Sequence, residues 1–102
     1  MIRHCVFVKF RNDVSAEERA EIYAGLSALV GQIQGLLSAQ FGTNVSPEGL
    51  SHGFNDGFTM DLADEEARDR YLADPAHQAA GGRLFAALEG GREGLIVFDM
   101  KI

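Results

Sequence analysis

The chain has 102 residues, 46% of them hydrophobic and 24% charged, which fits one globular domain (residues 1–102) with a modest core and excludes a wholly disordered chain. Nine basic residues stand against fifteen acidic ones, for a net charge of −6, so neither a nucleic-acid partner nor a polybasic membrane contact is expected. The single cysteine, Cys5, can form no internal disulfide and build no Cys-rich zinc site, and no run approaches the roughly 20 apolar residues of a membrane span.

Ile2 to Phe10 reads as a strand with apolar groups on both faces: Ile2, His4, Val6, Val8 and Phe10 point one way, Arg3, Cys5, Phe7 and Lys9 the other. The run is too short and interrupted for a secretory signal, which makes a cytoplasmic location the expectation. After a turn at Arg11-Asn12-Asp13, Ser15-Ala16-Glu17-Glu18 forms a capping box. The helix it opens is predicted to run to about Ile33, on the stripe Ile22, Leu26, Leu29, Val30 and Ile33, with Gly35 beyond its end. A second strand follows over about Leu36–Thr43, then a loop over 44–53 and a third strand over about Asn55–Leu62.

Asp64 is placed to cap a short acidic helix through Ala73. Asp74 caps a second helix, with Pro75 at its first position. Gly81-Gly82 falls inside that helix at a cost of about 1 kcal/mol per glycine relative to alanine, so either a close approach or a bend is expected there. A glycine-rich turn over 90–94 leads to a last strand, Leu95–Lys101. The order of elements is the ferredoxin-like βαββαβ pattern, an α+β fold.

Three helices cover only one face of a four-stranded sheet, and both faces carry apolar residues. A homodimer that stacks the uncovered faces is the economical solution. His4 shares its face with Val6 and Val8, and either satisfies a buried hydrogen bond or lines a cavity.

Two proton-active groups flank the helix break at Pro75. The His77 imidazole suits general-base work near neutrality. Tyr71 can donate to a carbonyl oxygen that is becoming an enolate. The structural alternative is that His77 braces the kink against a backbone carbonyl and Tyr71 packs on the sheet. The three histidines lack zinc-binding spacing, so no metal is expected; Asn44 and Glu48 read as solvated loop residues and Asp99 as a strand-end hydrogen-bonder.

The sequence resembles the stress-responsive dimeric α/β-barrel (Dabb) family over nearly its whole length. The resemblance rests on Arg3-His4-Cys5-Val6-Phe7-Val8-Lys9-Phe10, Gly42-Thr43-Asn44-Val45-Ser46, Gly53-Phe54-Asn55-Asp56, Tyr71-Leu72-Ala73-Asp74-Pro75-Ala76-His77 and Val97-Phe98-Asp99, in that order. It implies a ferredoxin-like protomer and a barrel made by two sheets in a homodimer. It is also similar to a plant member that closes a linear polyketide by intramolecular aldol condensation, with no metal or organic cofactor. That enzyme's catalytic tyrosine and histidine match Tyr71 and His77, and its first-strand pocket histidine matches His4. Its third-strand histidine is replaced by Asp56. The resemblance implies a pocket lined by His4, Val6, Val8, Asp56 and Phe58 that takes an apolar or carbonyl-containing small molecule. Three other roles stand beside pocket binding: a cofactor-independent cyclase or isomerase, a non-enzymatic stress-associated protein, and, last, a heme- or quinol-type monooxygenase, which the absence of tryptophan disfavours.

Overall fold

A computed structural model describes residues 1–102. Its elements are β1 (Ile2–Val8), α1 (Ala16–Ser27), β2 (Leu36–Thr43), β3 (Asp56–Leu62), α2 (Glu65–Ala73), α3 (Pro75–Ala86) and β4 (Leu95–Lys101), with a 3₁₀ turn over Gly91–Gly94. The strands form one antiparallel sheet in the order β2-β3-β1-β4, the ferredoxin-like arrangement. No helix is long and apolar enough to cross a membrane.

The helix starts are set by side-chain caps. The Ser15 hydroxyl accepts from the Glu18 amide, Asp64 from Ala67 and Asp74 from Ala76, each satisfying an amide that has no partner inside the helix. α1 ends at Ser27, earlier than its apolar stripe predicts. Leu29 and Val30 already bond to the carbonyls three residues back, and Gly31 takes a left-handed φ of 86°. Leu29 and Ile33 are buried all the same, because the tightened turns keep them against the sheet. Phe10, expected at the end of β1, makes only an isolated bridge to Leu88.

Ile2, His4, Val6 and Val8 face the helices together with Phe58, Met60 and Leu62, and this layer holds the core. At one end of the layer Tyr23, Phe41 and Phe58 form an aromatic cluster with ring centroids 4.7–6.1 Å apart. No element covers the other sheet face. There Phe7, Ile96, Phe98 and Met100 are 41%, 43%, 57% and 41% exposed.

Candidate functional site

α2 and α3 meet at Asp74-Pro75 with no helical residue between their caps, and the break points Tyr71 and His77 at each other. Tyr71 occupies the last turn of α2 and His77 the first turn of α3. Their rings lie in contact, with centroids 4.0 Å apart and planes tilted by 40°. His4 of β1 meets the other side of the Tyr71 ring edge-on at 5.8 Å. The three rings therefore form a column from the sheet to the helix junction, with the phenol in the middle.

This column lines a cavity of about 230 Å³ between the sheet and α3. Val6, Phe58, Leu84 and Leu95 complete its inner wall; Leu72, Phe85 and Val97, all exposed, form its rim. Gly81 accounts for part of the space. A methyl group at that position would stand 3.7 Å from His77 Nε2, so glycine leaves the room beside the imidazole open. Gly82, with nothing within 4 Å of its missing Cβ, has no comparable role.

The surroundings tune the two groups in opposite directions. Burial pushes the Tyr71 phenol well above its usual pKa, so it remains a proton donor at neutral pH. Burial pulls the His77 imidazole below its usual value. The nearby Leu72 carbonyl and Asp74 work against that pull, and His4 adds to it. His77 is thus neutral near pH 7, and its Nδ1 is buried with no hydrogen-bond partner.

His4 is held by a chain of charges. Its Nδ1 is 2.6 Å from Asp99 Oδ1, and Asp99 Oδ2 accepts from Arg68 at 2.7 Å. Burial pushes the Asp99 carboxyl up, but Arg68 and His4 outweigh it and hold it below the ordinary carboxylate range. An ionised carboxylate can only accept, so His4 Nδ1 carries the proton of this contact.

Of the residues expected at the site, Tyr71, His77, His4, Val6 and Phe58 come together around the cavity. Val8 and Asp56 do not. They pair with one another at the far end of β1 and β3, where Val8 is wholly buried and Asp56 lies 3.7 Å from Arg19. Their side chains share the helix-facing layer, but the α2–α3 junction covers only the His4–Val6 half of it. His4, expected either to satisfy a buried hydrogen bond or to line a cavity, does both: it bonds Asp99 and borders a cavity that lies within one protomer, on the helix-covered face. Asp99 was expected only as a strand-end hydrogen-bonder. The antiparallel register of β1 and β4 sets it opposite His4, a pairing the two strand sequences carry once that register is known.

The structure thus defines a ferredoxin-like α+β domain with an apolar cavity walled by a tyrosine and two histidines. The model of the Stress responsive A/B Barrel Domain matches residues 2–102, and the chain belongs to that family. It is 32% identical over 76 residues to the stress-response A/B barrel domain-containing protein HS1 of Arabidopsis thaliana, covering 74% of this chain and 70% of that one. A dimeric ferredoxin-like protein of unknown function from Jannaschia sp. CCS1 superposes with a TM-score of 0.91 at 30% identity, covering 99% of this chain and 98% of that one. The hydroxynitrile lyase of Passiflora edulis shares the fold, with a TM-score of 0.87 at 19% identity and 99% and 92% coverage.

Proposed function

We propose that this protein is a homodimer in which each protomer binds a compact apolar carbonyl compound in the Tyr71–His77 cavity and moves a proton next to the carbonyl without a cofactor. One observation carries the reading: a donor phenol and a neutral imidazole touch at 4.0 Å on the wall of an apolar cavity, and the imidazole has a buried nitrogen without a partner. Nδ1 is closed in beside the Leu72 carbonyl, so Nε2, which faces the room left by Gly81, is the nitrogen a ligand in the cavity would meet. In this scheme Tyr71 donates to the carbonyl oxygen as it gains negative charge, and His77 takes the proton from the adjacent carbon. His4, locked by Asp99, is a positioning group on the far side of the phenol. The dimer reading is supported by the exposed apolar sheet face and by dimeric relatives of the same fold.

Acetophenone is a probe of suitable size, with one carbonyl and exchangeable methyl protons. Proton NMR in deuterium oxide should show the wild-type protein washing deuterium into the methyl group, and His77→Ala falling to background while keeping its circular dichroism. If wild type and variant exchange at the same rate, His77 is not the base. Binding without exchange would reduce the protein to a carrier.

A further inference from the structure

His77, Gly81 and Phe85 follow one another along α3, each about one 5.4 Å turn from the next, and all three border the cavity. The room left by the bare backbone of Gly81 thus has the imidazole on one side and the Phe85 ring on the other. Leu84, beside it in sequence, is buried in the core, whereas Phe85 is 42% exposed. The Phe85 ring therefore stands between the cavity and solvent. It also has a firm backing. Gly91 lies against the ring tip, where a Cβ would stand 3.4 Å from Phe85 Cζ, and its φ of 60° favours glycine. The turn that carries Gly91 is tied at both ends through Lys9. The Glu89 amide donates to the Lys9 carbonyl at 2.8 Å, and the Lys9 amide donates to the Gly94 carbonyl at 2.9 Å. The ring cannot swing toward this turn without displacing it.

We propose that Phe85 is the length stop of this site and so determines its specificity: the ligand is a short-chain carbonyl compound whose substituent ends within the room over Gly81, and a long chain beyond the carbonyl is refused. The inference rests on the carbonyl-site reading above and adds the residue that limits ligand length. The other two rim residues, Leu72 on α2 and Val97 on β4, flank the mouth from outside the α3 stripe. In an apolar site each further methylene that is buried raises affinity about fourfold. With a stop in place that rise ends where the chain reaches the ring. If Phe85 served only to shield the core, replacing it would change stability and leave the preference for chain length as it was.

The test is an NMR titration of butanone, acetophenone and methyl nonyl ketone against wild type, Phe85→Ala, Phe85→Trp and Leu72→Ala, with circular dichroism to check each fold. Phe85→Ala should bind methyl nonyl ketone at least about tenfold more tightly than wild type does, and acetophenone within about threefold of wild type. Phe85→Trp, which brings the stop closer, should lose at least about fivefold for acetophenone and keep butanone within about threefold. Leu72→Ala, which removes a rim residue of similar exposure, should keep the wild-type preference. A wild-type preference in Phe85→Ala, or an equal shift in Leu72→Ala, would overturn the length stop and leave the carbonyl site standing. Residue 85 does not border the groove on the open sheet face beside His52, so methyl nonyl ketone held there would bind wild type and Phe85→Ala alike, again overturning the stop. Failure of wild type to bind any of the three ketones would overturn the carbonyl site and the stop together.

Discussion

Gly81 and Gly82 are adjacent residues in the same helix, and they separate the cost of a cavity from the cost of a glycine. Both lie inside α3, where alanine is favoured over glycine by about 1 kcal/mol. Neither has a positive φ, so alanine suits both backbones. At Gly82 the new methyl meets nothing within 4 Å, and the gain should be the propensity term alone, about 1 kcal/mol. At Gly81 the methyl enters the cavity at ordinary contact distance, 3.7 Å from His77 Nε2. Burying it adds up to roughly 0.8 kcal/mol, so Gly81→Ala should stabilise at least as much as Gly82→Ala. For a domain of this size each kcal/mol raises Tm by about 4–8 °C. Function should divide the two variants. Gly82→Ala should bind and exchange acetophenone like wild type, whereas Gly81→Ala, which narrows the space beside the imidazole, should lose at least about fivefold in both. Urea unfolding followed by fluorescence or circular dichroism supplies the stabilities, and NMR titration the binding. If Gly81→Ala is more stable and binds as well as Gly82→Ala, the room beside His77 Nε2 is not where the ligand sits.

Asp99→Asn should cost about 1.5–3 kcal/mol at pH 7, the range for hydrogen bonds to charged groups, since it removes the charge that holds both His4 and Arg68. The carboxyl's pKa is lower in the fold than in the unfolded chain, so its contribution is full above about pH 4 and is lost as pH falls through the folded value. Urea curves for wild type and Asp99→Asn should therefore converge in acid; a constant gap would disprove the linkage. His77 has the opposite chemistry but the same slope. Its folded pKa is depressed, so the unfolded chain takes up the extra proton first, and stability should decline as pH drops below about 6.5. His77→Gln should flatten that decline, and the acid limb of the exchange rate should fall below pH 6.5 in wild type. Tyr71→Phe should keep the fold, because the ring still fills its place, and lose at least about a hundredfold in exchange rate while acetophenone binding changes far less; equal losses in both would make Tyr71 a binding group only.

What the sequence reveals depends on how local the cause is. The caps at Ser15, Asp64 and Asp74 are legible because each bonds an amide two or three residues on. The Tyr71–His77 contact is legible for the same reason: a proline at the first position of α3 fixes a short break, and six residues span it. The early end of α1 is not, because Leu29 and Ile33 continue an apolar stripe whether the turns are α-helical or tighter. Strand alternation tells which face a residue occupies but not what lies above it. Val8 and Asp56 therefore fell into the expected pocket, when the cavity under the α2–α3 junction reaches neither of them. The His4–Asp99 pair depends on the register between strands 95 residues apart, which no local pattern supplies.

The most direct test of the account reads the histidines themselves. In a long-range ¹H–¹⁵N spectrum of wild-type protein titrated with acetophenone, the ring nitrogens of His77 should shift strongly and those of His4 weakly. His52, which borders the groove on the open sheet face, should stay fixed. Shifts confined to His52, or none at saturating probe, would contradict a carbonyl site between Tyr71 and His77.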